Sequence, residues 1–560
     1  MTDQDSQQTS QRRFTNYQPT AWDSDFIKSL KNHNVDEIQK HRAEKLKGEI
    51  KVMIGDTDVN SLTILELIDD IQRLGLSHHF QKDITRALDR IFLSVNGNGT
   101  NLWANQEISV HATALCFRLC RQHGYEASQD VFQRFKDKSG NFMKSLCKDT
   151  KGLLSLYEAS YLSFERENLM EEAKIFTNKH LKGIKGNIVD KDLVEQIDHA
   201  LEMPLHHRMS RLEARWYIEV YGKRKDANHL LLEMAKLDFN MVQLLLQGEL
   251  KDMSRWWEDI GLVKNLNFTR DRLMECFFWT VGMVFEPKFS DCRKSSTKLT
   301  SLINTIDDIY DVYGYLDELQ LFTAAVDRWD IKAVETLPDY MKLCFLALYN
   351  TTNDMAYAIL KQKGVNIIPY LTRAWADICK AFLVEAKWCF EKETPTFKAY
   401  LENALVSVSM MLVSVHAYFL LTETITKEAL DWLEKKEPYH PIMECASLIL
   451  RLSNDLGTSK AELERGESAN SILCYMHETG LSEQEALKHI RKLIDEAWKK
   501  MNKERVAVDS PFEKPFIETA INFARMAQCS YQNGDWLGAP DNQAKNRVLS
   551  VIIEPITTPC

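Results

Sequence analysis

The chain has 560 residues, 44% of them hydrophobic and 27% charged, which is the balance of a globular protein with material for more than one core. It contains only 21 glycines and 13 prolines, too few for an architecture of many strands and turns, so the composition favours an all-helical fold. The net charge of −10 at pH 7 argues against nucleic acid as a partner.

The N-terminal residues carry no visible targeting signal. Residues 1–11 are polar and lack the apolar stretch of a secretory signal, and they also lack the Arg- and Ser-rich composition of an organelle transit peptide. We expect residues 1–20 to form an extended arm. The 12 cysteines form no CxxC pair, which indicates a reducing compartment rather than a disulfide scaffold.

Helical periodicity begins near Ala21 and continues along the chain. One apolar stripe consists of Ile64, Leu65, Ile68, Ile71 and Leu74. Further amphipathic stretches predict helices at 112–122, 152–164 and 193–201. No alternating strand pattern and no short repeat is present, so the sequence predicts an all-α fold.

The helical pattern is interrupted at 203–208 and again at 221–226, where a basic run contains glycine. We place a domain boundary near residue 224, which gives an N-terminal helical domain at 21–223 and a second helical domain at 224–560. The second domain begins with a predicted helix at 230–246. Its other predicted helices include 341–360 and 450–462.

An apolar segment at 404–420 contains no charged residue and is close to the length of a membrane span. Ser407, Ser409, Ser414 and His416 interrupt it, and no second such segment accompanies it. The central helix of a large bundle shows the same composition, because all of its faces are buried. We therefore expect a buried helix and no membrane span.

Three carboxylates occur in the run Asp307-Asp308-Ile309-Tyr310-Asp311. On a helix, the first and last share one face about one turn apart. Apolar residues flank the run, and burying three acids there is costly without a positive partner. Carboxylate oxygens suit Mg²⁺ or Mn²⁺ better than Zn²⁺. The alternative is an acidic helix end without a function, and the run alone does not decide between the two.

A second oxygen-rich stripe is formed by Asn454, Thr458 and Glu462, which fall at i, i+4 and i+8 of a predicted helix. They offer an amide oxygen, a hydroxyl and a carboxylate, all of which are ligands of hard cations. Ordinary polar residues on a solvated helix face are the alternative. Two such stripes could bind a cluster of divalent ions from opposite sides.

Arginines lie close to both stripes. Arg270 and Arg272 flank Asp271, and Arg451 precedes Asn454 by three residues. The guanidinium group matches the geometry of phosphate oxygens. Metal ions and several arginines around one cavity suit a diphosphate leaving group.

Aromatic residues complete the predicted site. Trp279 follows Arg272 by seven residues, and Tyr531 is a further candidate. The face of a desolvated aromatic ring stabilises a cation by up to about 2 kcal/mol, and a carbocation also requires that water be excluded. For Tyr531, as for any single aromatic residue other than Trp279, a place in the core is the favoured explanation.

Together these motifs resemble the signatures of plant class I terpene synthases. Arg12-Arg13, followed after eight residues by Trp22, is similar to the RRx8W element of the angiosperm monoterpene-synthase branch. The resemblance extends from Arg12 to Pro555. Within it, the sequences of segments 338–351 and 467–476 are most similar to those of isoprene, ocimene and farnesene synthases. A chain-elongating prenyltransferase would need a second DDxxD run, and residues 454–462 do not contain one.

The resemblance implies a barrel-like N-terminal helical domain without known catalysis and a C-terminal class I domain that holds three Mg²⁺ or Mn²⁺. The implied metal-binding residues are Asp307 and Asp311 with Asp308 in support, and Asn454, Thr458 and Glu462 on the other wall. The residues implied to bind the diphosphate are Arg270, Arg272 and Arg451. Trp279 would form the pocket floor, and the apolar segment 404–420 would be the family's broken pocket helix. Arg12 and Arg13 would help to close a lid.

The matching positions also bear on the substrate. Isoprene synthases of this branch narrow the pocket with two phenylalanines, and Thr300 and Leu450 occupy those positions here. The resemblance therefore implies geranyl diphosphate as the substrate and an acyclic monoterpene such as ocimene, myrcene or linalool as the product. A sesquiterpene synthase acting on farnesyl diphosphate and an isoprene synthase acting on dimethylallyl diphosphate remain alternatives.

We expect a monomer or a weak homodimer whose partner is this small-molecule diphosphate. We expect the plastid stroma as its location if a transit peptide has been removed, and the cytoplasm otherwise. The loop after Tyr531 departs from the family, since Asp535 is followed by Trp536-Leu537 rather than by glycine and an aromatic residue. The behaviour of the lid is therefore left open.

Overall fold

The computed structural model describes residues 17–30, 36–96, 109–184, 190–434, 438–465, 469–532 and 534–557. The first α-helices, which precede residue 224, are α1 Ser24–Ser29, α2 Glu37–Gly55, α3 Ser61–Arg73, α4 Ser77–Asn96, α5 Val110–Gln122, α6 Thr150–Ser160, α7 Asn168–Ile184, α8 Lys191–Glu202 and α9 Ser210–Tyr221. The α-helices that follow are α10 His229–Ile260, α11 Leu262–Asn265, α12 Leu273–Met283, α13 Ser290–Asp308, α14 Leu316–Arg328, α15 Asp339–Lys363, α16 Ile368–Glu391, α17 Phe397–Ser407, α18 Met410–Leu421, α19 Lys427–Glu434, α20 Pro441–Arg465, α21 Ser471–Thr479, α22 Glu483–Arg505, α23 Lys514–Tyr531 and α24 Asn542–Val548.

The predicted all-α fold is confirmed. Short 3-10 helices at Gln129–Phe135, Lys144–Lys148, Leu205–His207, Pro287–Phe289 and Ile331–Thr336 connect the α-helices, and Ile309–Tyr313 and Leu549–Ile553 are π-helical turns. Across the described ranges, the extended structure consists of a single isolated bridge between Lys136 and Phe142.

Local sequence explains where the helices begin and end. Asn60 precedes α3, and its side chain accepts a hydrogen bond from the Thr63 amide at 2.9 Å, as a helix N-cap does. Gly75 follows the helix with a φ of +78°, a conformation that glycine adopts without strain. The apolar stripe that the sequence predicts in α3 is buried.

Helix α10 runs from one core to another. Near its start, Leu231 and Met234 pack in a core built mainly from α2 to α5 and α9. Further along, Leu246 and Leu250 pack in the large core of the C-terminal helices. Residue 224 lies in the turn before α10, between α9 and α10, and the domain division at this residue stays a prediction.

The apolar segment 404–420 is buried inside the helical bundle, as expected. In α18, the only residue that is not fully buried is Leu420. The stretch Phe397–Leu421 is long and apolar enough to cross a membrane by composition alone, and 72% of its most apolar part is buried in the protein. The segment is not one continuous helix, because α17 and α18 are separated at Val408-Ser409.

A buried ion pair joins α10 to α13, the helix that carries the acidic run. Arg293 donates to both carboxylate oxygens of Glu249 at 2.7 and 2.8 Å, and it also donates to the backbone carbonyls of Val284 and Glu286. Both side chains are almost wholly inaccessible to solvent. Removing one member of such a pair leaves an uncompensated charge in the interior.

We expect Arg293→Met to destabilise the protein by about 3–5 kcal/mol, because Glu249 would remain buried without its partner. Thermal and urea unfolding followed by circular dichroism would measure the change. Lys294→Met is the matched control, since Lys294 forms only a partly exposed pair with Asp291. Equal midpoints for the two variants would contradict the prediction.

Candidate active site

Both oxygen-rich stripes line the same cavity. It has a volume of about 240 Å³ and lies among α13, α16, α17, α20 and α23. Asp307 and Asp311 border it on one side, and Asn454 and Thr458 belong to its lining from α20. The structure therefore brings together two sets of ligand atoms that are about 150 residues apart in the chain.

The acidic run lies where an α-helix changes its winding. Helix α13 ends at Asp308, and the chain continues as the π-helical turn Ile309–Tyr313, which contains Asp311. Such turns occur often at functional sites, because the wider winding moves side chains away from their regular positions. Asp307 and Asp311 both face the cavity, whereas Asp308 is not part of its lining.

Asp308 points towards Arg270 rather than into the cavity. Its carboxylate accepts a hydrogen bond from the Arg270 amide at 2.7 Å and lies 2.9 Å from Arg270 Nε. Burial raises the pKa of Asp308 to about 6, and the Arg270 guanidinium opposes that rise. Asp308 therefore orients Arg270 and the loop before α12, and its supporting part in metal binding stays a prediction.

Arg270 connects the acidic run with the N-terminal arm. Its Nη2 donates to Asp307 Oδ2 at 2.5 Å, and its guanidinium lies 5.0 Å from the centre of the Tyr17 ring. Burial disfavours its charge, but the carboxylates of Asp308 and Asp307 hold the pKa of Arg270 well above its ordinary value. Arg270 lines the cavity with a permanent positive charge, as the sequence predicted.

The opposite wall is a continuous stripe on α20. Leu450, Arg451, Asn454 and Thr458 all line the cavity. Arg451 donates to the side-chain oxygen of Asn454, and its Nη2 lies 2.7 Å from Asp455 Oδ1. The side chain of Glu462 lies outside the described residues, so its place in the stripe stays a prediction.

Asp455 is a structural residue that the sequence analysis passed over. It is fully buried, and its carboxylate accepts hydrogen bonds from the Tyr400 hydroxyl at 3.0 Å and from the Ser471 amide at 2.9 Å. These bonds fasten α20 to α17 and α21. Its position next to Asn454 on the predicted helix could have indicated this role, because an acid on the buried side of a helix needs hydrogen-bond or ionic partners.

Arg272 does not reach the cavity. It is buried, and its guanidinium donates to the carbonyls of Leu537 at 2.7 Å, Gln18 at 2.8 Å and Asp271 at 2.8 Å. This differs from the expectation that Arg272 binds the diphosphate. The backbone before α12 turns between Arg270 and Arg272, so the two side chains point in different directions, and Arg272 joins the arm to the C-terminal loop.

The floor of the cavity is aromatic and apolar. Trp279 lines it, and its ring lies 5.3 Å from Phe523 and 6.4 Å from Tyr531. Thr300 and Leu450 border the same space, and Thr300 directs its hydroxyl to the backbone of its own helix. Their role in limiting the length of the substrate stays a prediction. Burial raises the pKa of Tyr531, which keeps its hydroxyl protonated. The sequence analysis named Thr300, Leu450, Trp279 and Tyr531 but not Phe523.

The C-terminal loop borders the cavity, and the arm contacts Arg270. Asp535 and Leu537 of the loop line the cavity, while Tyr17 of the arm lies beside the acidic run. Burial raises the pKa of the Tyr17 hydroxyl. Arg12 and Arg13, which were expected to close the lid, lie outside the described residues.

Comparison with known proteins identifies the family. Residues 21–201 match the model described as "Terpene synthase, N-terminal domain", and residues 258–500 match "Terpene synthase family, metal binding domain". The myrcene synthase of Quercus ilex is 51% identical over 97% of this chain and 90% of its own.

Two solved structures have the same fold. The isoprene synthase of grey poplar, in complex with three Mg²⁺ ions and dimethylallyl-S-thiolodiphosphate, has 53% identity and a TM-score of 0.88 over 96% of this chain and 99% of its own. A limonene synthase with 2-fluorolinalyl diphosphate has 43% identity and a TM-score of 0.94 over 98% of this chain and all of its own.

We expect Arg272→Ala to loosen the arm and the C-terminal loop. The backbone carbonyls of Gln18 and Leu537 would lose the guanidinium group that donates to both of them. Hydrogen–deuterium exchange should become faster in segments 17–22 and 534–540 and stay unchanged in α13. Arg255→Ala is the control, since Arg255 is an exposed arginine on α10. Unchanged exchange in both segments would contradict the connecting role of Arg272.

Proposed function

Starting from the fact that the chain belongs to the terpene synthase family, we propose that it converts geranyl diphosphate into inorganic diphosphate and an acyclic monoterpene such as ocimene, myrcene or linalool. The enzyme is a terpene synthase, a carbon–oxygen lyase acting on phosphates. The observation that carries the proposal is a single cavity with two oxygen-rich walls, two arginines and an aromatic floor.

The donor set of the cavity fits divalent magnesium or manganese. The side chains of Asp307, Asp311, Asn454 and Thr458, which form the two walls, all offer oxygen donors. We propose these four, together with Glu462, as ligands of three Mg²⁺ ions, the number present in the grey poplar isoprene synthase complex. Bound Mg²⁺ would neutralise the charge that develops on the departing diphosphate.

The arginines take part in the same step. Arg270 and Arg451 line the cavity from opposite walls, so their guanidinium groups can bind diphosphate oxygens from both sides. The Asp307 carboxylate orients Arg270, and Asp455 orients Arg451. These arginines hold the leaving group while its bond to carbon breaks.

The hydrocarbon chain would lie against the floor. Trp279, Phe382 and Phe523 expose apolar surface to the cavity, and aromatic faces stabilise positive charge where water is excluded. Deprotonation of the final cation requires no dedicated side-chain base, because the bound diphosphate can accept the proton. The identity of the product then depends on the shape of this floor.

A five-carbon substrate is the second candidate. It is favoured by the 53% identity to an isoprene synthase whose complex contains a dimethylallyl diphosphate analogue. Thr300 and Leu450 argue for a longer chain, since neither fills the cavity with an aromatic ring.

We also propose a plastid location, in line with the description of the myrcene synthase as chloroplastic.

Asp307→Ala should lower turnover at least about 100-fold, because a metal contact at the developing charge is worth several kcal/mol. The measurement is gas chromatography of volatiles formed from geranyl, dimethylallyl and farnesyl diphosphates with Mg²⁺. Asp317→Ala is the control, an exposed acid shortly after the run and outside the cavity. Metal-dependent product formation at the normal rate by Asp307→Ala, with an unchanged circular dichroism spectrum, would refute the assignment.

The double variant Thr300→Phe/Leu450→Phe should change the ratio of kcat/KM for geranyl to that for dimethylallyl diphosphate by about tenfold or more in favour of the shorter chain. Two added rings shorten the space for the hydrocarbon chain without changing the metal or phosphate ligands. Thr300→Ser/Leu450→Met is the control of similar size. An unchanged ratio in the double variant would mean that these positions do not limit chain length.

A further inference from the structure

Glu385 is a carboxylate inside the cavity for which the ionisation step has no use. It lies on α16, and Phe382, Ala386 and Cys389 of the same helix also line the cavity. No motif in the sequence indicates a role for Glu385, and it belongs to neither of the two oxygen-rich stripes. In the proposed reaction, a carboxylate that faces the cavity would attract the carbocation formed there. Its position must therefore be fixed, because a mobile carboxylate would stabilise positive charge at varying points of the substrate.

One hydrogen bond restrains Glu385. Its Oε1 accepts from the Ser407 hydroxyl at 2.6 Å. One helical turn away, Asn403 Nδ2 donates to the Ala381 carbonyl at 3.1 Å, so two side-chain bonds spaced four residues apart join α16 to α17. Ser407 is buried and is the last residue of α17.

The helix breaks immediately after this contact. The Val408 amide donates to Ala404 at 3.1 Å, and the Ser409 amide donates to Val406 at 3.1 Å instead of to the residue four positions back. Ser409 has a φ of +71°, in the left-handed region that a residue with a side chain adopts only under strain. Because no glycine relieves that strain, the surroundings must hold the break in place.

We propose that Glu385 is a positioning residue that, through Ser407, fixes the break between α17 and α18 and thereby determines which product the carbocation gives. This inference rests on the proposed function. Ser407, Val408 and Ser409 all line the cavity. Where a helix is interrupted, backbone carbonyls leave the regular hydrogen-bond ladder, and their dipoles act on nearby positive charge.

The position supplies a hydrogen-bond acceptor rather than a permanent charge. Burial raises the pKa of Glu385 to about 7, an effect that Arg451 opposes. An uncharged glutamine can accept the same bond from Ser407, because its side-chain carbonyl occupies the place of the carboxylate oxygen. Glu385→Gln therefore separates the geometry of the contact from its charge.

The test compares Glu385→Ala, Glu385→Gln, Ser407→Ala and the double variant Glu385→Ala/Ser407→Ala in the full-length enzyme with Mg²⁺ and geranyl diphosphate. Product ratios by gas chromatography are the main readout, with kcat, KM and melting temperature beside them. Glu402→Gln is the control, since Glu402 lies on α17 and pairs only with the exposed Lys398.

We expect Glu385→Ala and Ser407→Ala each to change the product ratio about fivefold, the factor that corresponds to one hydrogen bond of average strength. The double variant should change it no further, because both substitutions remove the same contact. Glu385→Gln and Glu402→Gln should retain the parental ratio, and KM should change little.

Unchanged ratios in Ser407→Ala would overturn the proposal, as would additive effects in the double variant. A Glu385→Gln product mixture as altered as that of Glu385→Ala would overturn it too, since the charge would then matter. If Glu385→Ala does not fold, Ser407→Ala, which loses only a hydroxyl group, still decides. Failure of the unsubstituted enzyme to form any volatile from a prenyl diphosphate would instead refute the proposed function.

Discussion

The contact between Arg270 and the carboxylates of Asp307 and Asp308 is the interaction on which the site depends. Asp308 is completely buried, and a lone carboxylate there would be strongly unfavourable. Arg270 compensates it, and in return the carboxylates keep the arginine charged and oriented. These two ion pairs thus hold the acidic run, the loop before α12 and the guanidinium group proposed to bind diphosphate in a fixed relation.

The second wall is built on the same principle. Arg451 lies against the buried Asp455, whose other oxygen contacts come from Tyr400 and the Ser471 backbone. In both walls, a buried acid that does not face the cavity orients an arginine that does. The groups expected to meet metal and diphosphate are therefore held before the substrate arrives, which lowers the cost of reorganisation during ionisation.

Ionisation and product choice are assigned to different parts of the cavity. In the proposed reaction, the oxygen-rich walls and arginines would act on the diphosphate, whereas the floor around Trp279 and the break at Val408-Ser409, which also line the cavity, would face the hydrocarbon. Members of one family can therefore retain the residues of the oxygen-rich walls and the arginines and still form different products. This separation is consistent with isoprene, myrcene and limonene synthases all being similar to this chain.

The sequence by itself determined the all-α class and most helix positions and predicted the two stripes, because helical periodicity and ligand spacing are local properties. It also predicted the buried apolar segment. Only the tertiary structure decided the direction in which each side chain points. Arg270 and Arg272 are two residues apart, yet one borders the cavity and the other joins the arm to the C-terminal loop.

The same reason explains the residues that the sequence analysis passed over. Glu385, Tyr400 and Asp455 lie on helices whose periodicity is ordinary, and their roles come from partners on other helices. The resemblance to the family implied a broken helix within 404–420, but the position of the break at Ser409 came from the structure, because no glycine or proline marks it in the sequence. Spacing along a chain shows which residues share a face, and only packing shows what that face meets.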